Sequence, residues 1–355
     1  MNDKDIHSAE LVIPCSELDE TLAYFVDELK FRTESIYPAD APRVAVIAGY
    51  GVRLRLDAGA QGSPGTLRVR CNRLPDGGSE FVAPNGTSIV FVATEEPLAL
   101  PSVVPSLVVQ AGAEESDFGQ GRAGMQYRDL IPGRYGGRFI ASHIRIPTGG
   151  PVPDYVHHHH IQFQLIFCVK GWVRVVYEDQ GEPMLMEAGD CFLQPPHIRH
   201  RVLESSDQME VVEISCPAEH ETCVDHETQL PTGKYEPERT FGQQKFVFHR
   251  AKDETWAATA ITGLEQQVTA IAAATNGVVA VNVLQARTAV EEIPLGHDGD
   301  LRFIFLLSGK ATFDAKEAGA WQLNSANSVA IPNSIDCQLT HVSADCKYLE
   351  VLVPG

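Results

Sequence analysis

Short apolar or alternating runs punctuate the middle of the chain at 139–146, 164–169, 172–177, 184–186, 191–194 and 210–215. Gly, Pro or Asp separates them at near-regular spacing. Period-two patterning with such breaks predicts antiparallel strands of a sandwich or barrel. The pattern recurs at 278–286, 301–307, 311–313, 328–331 and 348–353. Both stretches contain a glycine-punctuated hairpin (Lys170-Gly171, Ser308-Gly309) and a proline-marked turn (Pro195-Pro196, Pro332). They read as a duplicated β-domain.

The N-terminal part follows another rhythm. Residues 11–13 read as a strand. Leu18, Leu22, Phe25, Val26 and Leu29 then recur at helical spacing, with Ser16 as the expected N-cap and Asp19 three residues on. Strands are expected at 32–36, 43–48, 52–56, 66–71 and 87–93. This is a β-α-β-β-β unit with two further strands. Polar, Gly- and Pro-bearing stretches at 110–122 and 223–243 read as surface linkers. The expected domains are therefore 1–110, 123–222 and 244–355.

Charge narrows the functional classes. Among 355 residues, 28 Lys and Arg face 47 Asp and Glu, a formal net charge of -19. Nucleic-acid binding needs clustered cations, so it is excluded as an expectation. An anionic membrane surface is disfavoured, and no apolar run reaches the ~18 residues of a membrane-spanning helix. The eight cysteines are scattered without a CxxC pair, and the first ten residues are polar and acidic. Reduced thiols and a cytoplasmic location are expected.

The chemistry concentrates around His157-His158-His159-His160, with Gln164, Gly171, Gly189, Pro195, His197 and His200 following. Imidazoles two apart on a strand share a face, so either His157/His159 or His158/His160 can grip one ion. His157-x-His159-x4-Gln164-x6-Gly171 resembles the first cupin motif. Gly189-x5-Pro195-x-His197-x2-His200 resembles the second, with Gln164 in place of the usual Glu and His197 in place of Gly. The resemblance implies a jelly-roll barrel with one divalent metal (Fe, Mn, Zn or Ni) on His157, His159, Gln164 and His200. Strict alternation back from Gln164 favours His158 and His160; the spacing of Gln-bearing cupins favours the odd pair, which is the expectation adopted. A Gln ligand removes one negative charge and leaves the metal a stronger Lewis acid.

Arg138, Arg145, Tyr155 and His197 are the expected substrate-binding residues. Arg128, Asp129 and Arg134 also flank the barrel's first strand, and Glu204, Glu210, Glu213 and His220 are acid–base candidates by proximity in sequence alone. No catalytic residue is assigned. The C-terminal block resembles a second cupin without its ligands: His297, Arg302 and Cys337 stand in the motif places, and no metal is expected there. The stretch from Ala9 to Phe31 resembles a module of the glyoxalase, or vicinal-oxygen-chelate, fold, with Glu10 where that superfamily places a His.

The expected fold class is mainly β: two tandem cupin barrels behind a small α+β glyoxalase-like segment. The expected activity is a metal-dependent dioxygenase, isomerase or lyase acting on a small oxygenated metabolite. The alternative is a cupin that binds a metal or small ligand without turnover. A small-molecule partner and a homodimer are expected.

Overall fold

The computed structural model describes residues 6–94, 97–112, 117–121, 124–333 and 335–355. The chain divides into two compact units, 1–97 and 98–355. Of the expected first linker, 113–116 and 122 lie outside the described residues.

In the first unit the strand Leu11–Pro14 leads into the helix Leu18–Ala23, which widens into a π-helical turn over Tyr24–Glu28. Strands Arg32–Tyr37, Val44–Gly49 and Val52–Asp57 form an antiparallel meander whose last member pairs in parallel with Leu11–Pro14. The apolar helical stripe explains the packing: Leu18, Phe25 and Leu29 bury against Ala45, Ile47, Leu54 and Leu56. Ser16 does not cap this helix. The cap position falls on Glu17, which makes no side-chain capping bond. Thr66–Cys71, Glu80–Val82 and Ser88–Ala93 form a separate three-stranded sheet.

Beside a two-stranded ribbon, Thr240–Phe241 with Gln244–Lys245, the described residues of the second unit form four larger sheets in two pairs. A seven-stranded sheet is ordered Val247–His249, Cys191–Gln194, Phe163–Lys170, Met209–Cys216, Ile140–Ile146, Gln126–Asp129, Gly119–Gln120. Opposite it, Met184–Glu187, Trp172–Tyr177, His200–Ser205, His157–His159 and Thr222–Val224 run side by side, with Gly150–Pro151 on His200–Ser205. Ile144, Val173, Val175, Met186 and Val211 fill the space between. The C-terminal half repeats this plan around a core containing Leu306, Phe313, Leu323 and Leu339.

A third core lies between the two seven-stranded sheets. Phe163, Leu165 and Phe167 enter it from one side, Phe303, Phe305 and Val351 from the other. Both faces of 163–170 are thus buried, which is why that strand reads as a nearly continuous apolar run. Two short strands are exchanged across the halves. Val108–Gln110 precedes the first half yet pairs with Ser328–Ile331 of the second. Val247–His249 follows the first half and completes its sheet beside Cys191–Gln194.

Candidate metal centre

Three histidines converge inside the first sheet pair. One ring nitrogen from each of His157, His159 and His200 lies within 4.8 Å of the others, and all three residues are buried. The strands dictate this. His157 and His159 occupy alternate positions and face inward, while His200 stands directly across from His157 in the neighbouring strand. Their ring centroids lie 4.3 Å (157–200), 5.1 Å (157–159) and 5.2 Å (159–200) apart.

Each imidazole is oriented through Nδ1. His157 Nδ1 donates to the Tyr155 carbonyl at 2.7 Å, with the buried Asp154 carboxylate 3.6 Å away. His200 Nδ1 donates to the Ile198 carbonyl at 3.1 Å. His159 Nδ1 meets the Thr222 hydroxyl at 3.0 Å. An acceptor at Nδ1 fixes the tautomer that carries its lone pair on Nε2, the arrangement metal-bound histidines use.

Beside the triad, Gln164 lines the same cavity, and its buried Oε1 has no hydrogen-bond donor. An orphaned buried carbonyl costs roughly 1–3 kcal/mol unless something meets it. Three imidazoles and an amide oxygen form a neutral N3O donor set that suits a first-row divalent cation. Gln194, paired across from Gln164, donates to the Tyr177 hydroxyl at 2.9 Å, and Tyr177 stacks on His200. Burial pushes the Tyr177 phenol far above its usual range, so it stays neutral.

His158 and His160 turn outward. Their rings pack against His197, at 5.8 and 5.2 Å. Strict alternation back from Gln164 fails because 160–162 leave the strand before Phe163 begins the next one. Burial, with Arg199 and His197 nearby, holds His158 below its ordinary pKa.

None of the four expected substrate-binding side chains lines the cavity. Arg138 donates to the Pro101 carbonyl at 3.2 Å and faces Asp300. Arg145 alternates with the inward Ile144 and Ile146, so it points to the opposite face, over Phe118 and 3.5 Å from Glu210. Tyr155 is 63% exposed; only its carbonyl serves the site. His197 is exposed, and its N–H donates to the His159 carbonyl at 3.1 Å.

Of the acid–base candidates, Glu213 reaches the cavity, on the same face as Met209 and Val211. Glu210 points the other way to His143, Glu204 pairs with Arg174, and His220 packs behind His159. Sequence reasoning did not single out Gln194, Tyr177, Asp154 or Thr222. Glu213 was a candidate by nearness in sequence alone; in the fold it faces Ile166 across the sheet as Glu350 faces Ile304 in the other half.

In that other half the register sets Arg302 where Gln164 stands, and Cys337 where His200 stands. Arg302 forms an ion pair with Glu350, which also accepts from Asn282 at 3.1 Å. His297 meets the Ile331 carbonyl at 2.9 Å.

The likeness to known proteins follows this geometry. Residues 142–215 match a cupin domain. The cupin match covers about a fifth of the chain and holds His157, His159, Gln164, His200 and Glu213, while Thr222, the partner of His159, lies beyond it. No curated protein matches the sequence. A solved structure from Pseudomonas aeruginosa, described as a glyoxylate-induced protein, is 12% identical with a TM-score of 0.51, covering 72% of this chain and 92% of that one. A salicylate 1,2-dioxygenase variant from Pseudoaminobacter salicylatoxidans, solved with gentisate, is 15% identical with a TM-score of 0.51, covering 72% and 83%. At these identities the likeness speaks for a cupin-type fold.

Proposed function

We propose that residues 98–355 form a bicupin metalloenzyme. Its first barrel would hold one divalent metal on His157, His159 and His200, with Gln164 as the oxygen ligand. The second barrel would be a cupin without a metal. The first unit would be a reduced relative of the glyoxalase-type module, as its β-α-β-β-β order resembles one. The observation that carries the metal reading is the convergence of three Nδ1-anchored imidazoles on one cavity.

Bound there, a divalent metal supplies a Lewis acid that polarises a carbonyl or enol oxygen. The protein's own groups do the rest. Gln164 contributes no charge, so it leaves the cation's pull undiminished. Glu213 is the cavity's carboxylate and moves a proton to or from the bound molecule. Tyr177 and Gln194 hold His200 in place. The apolar wall excludes water and strengthens every charge interaction within. The reading favoured is proton transfer next to a carbonyl, as in an isomerase or lyase. Oxygen-dependent cleavage is the second reading, favoured by the apolar wall that dioxygen would cross.

The test begins with metal analysis of protein purified without a metal-affinity column. One equivalent of Fe, Mn, Zn or Ni, lost in His200→Ala, supports the site. No metal in either protein, with both equally folded, refutes it. Solvent deuterium entering a carbonyl substrate without oxygen uptake then selects the first reaction class; oxygen uptake selects the second.

A further inference from the structure

The cavity beside the triad has a volume of about 80 Å³. One water takes roughly 10–15 Å³ of such space, so a small organic molecule has room. Among the described residues no lysine or arginine lines it. Its wall beyond the polar end is made by side chains such as Ile144, Ile146, Val173, Met186, Phe192 and Met209. Glu213 is the one carboxylate among the described residues that line it.

We infer that the site selects a singly charged oxygen chelator with an apolar body, and rejects dicarboxylates. This rests on the metal reading above. The charge count decides it. A divalent cation among three neutral imidazoles and a neutral Gln164 keeps two positive charges, and Glu213 offsets one. One negative charge on the ligand brings the cavity to neutrality. A second would be buried without a counter-charge, since no cationic side chain faces the cavity, and an uncompensated buried charge is strongly disfavoured. A hydrocarbon body loses nothing there and gains by leaving water.

Two 2-oxo acids separate these cases with the same metal-gripping head. 2-Oxohexanoate carries one charge and an alkyl tail; 2-oxoglutarate carries a second carboxylate. The full chain is loaded with Co(II), and each acid is titrated without oxygen while the cobalt d–d bands report contact with the metal. 2-Oxohexanoate is expected to bind at least tenfold more tightly, a difference of about 1.4 kcal/mol. In Glu213→Gln the ratio should shrink, through tighter binding of 2-oxoglutarate. Equal binding, tighter binding of 2-oxoglutarate, or no response to either acid overturns the inference while the bound cobalt leaves the metal reading standing. Protein that takes up no cobalt overturns the metal reading, and this inference with it.

Discussion

Thr222→Val isolates one orienting contact of the triad. The Nδ1 acceptors of His157 and His200 are backbone carbonyls and cannot be removed by substitution; that of His159 is the Thr222 hydroxyl, at 3.0 Å. Valine keeps the shape and the strand preference of threonine, so the pairing of Thr222–Val224 with His157–His159 should persist. What is lost is the group that fixes the His159 ring and tautomer. Loss of such a partner typically weakens metal binding 10–100-fold. Thr222 is exposed, so water can partly replace its hydroxyl. The expected loss therefore sits near tenfold, about 1.4 kcal/mol. Competition for Zn(II) against a chromophoric chelator measures it, with Thr222→Ser as the variant that retains the acceptor. Wild-type affinity in Thr222→Val, or equal losses in both variants, would refute the orienting role.

Replacing His158 and His160 together with alanine should leave metal affinity unchanged in the same assay, because both rings face His197 outside the cavity. Arg302→Met should cost about 3–5 kcal/mol in urea unfolding, since it strands the buried Glu350 carboxylate; adding Glu350→Gln should recover most of that, and a loss below 1 kcal/mol in the single variant would contradict the pair's role. Acid should destabilise the second unit through His143. Its Nε2–H donates to Glu210 at 2.8 Å while Nδ1 accepts from Arg128 at 3.1 Å, and burial, with Arg128 and Arg145 beside it, holds its pKa below 6.5 against the pull of Glu210. The folded state thus binds fewer protons than the unfolded chain below about pH 6.5, and stability should fall with pH from there by at most about 1.4 kcal/mol per unit. His143→Gln should lessen that slope in urea titrations between pH 7 and 5, the remainder coming from His158, His220, His249 and His297, which burial also holds below their ordinary pKa; an unchanged slope would refute a part for His143.

The strands most legible in the sequence were those with one face in each of two cores, such as Phe163–Lys170 and Leu301–Ser308, because burial on both sides demands apolar residues throughout. His200–Ser205 and Gly319–Asn324 were not among the expected strands because their few apolar residues are flanked by polar ones and show no clear core face. The cupin motif spacing pointed to the histidines that the fold gathers. The substrate-side arginines lie away from the cavity for a plain reason: proximity to a barrel strand does not say which face a side chain takes, and Arg145 lies one residue out of phase with the cavity. The stretch 223–243, read as a surface linker, instead carries Arg239, which pairs with Glu178 and Asp179, and begins within the strand that brings Thr222 to His159. Polar composition alone cannot separate a solvated linker from a strap tied down by ion pairs.

The exchanged strands make the second unit a woven object. Val108–Gln110 and Val247–His249 each serve a sheet whose other strands lie elsewhere in the sequence, and the core between the seven-stranded sheets belongs to neither half. Cutting the gene at 123 and 222 would yield a fragment lacking an edge strand and exposing Leu130, Tyr135, Phe139 and Phe163 to water. Such a fragment would be expected to aggregate during expression. Anyone wishing to study the histidine site in isolation should therefore begin the clone near Leu98 and keep the chain through its last strand.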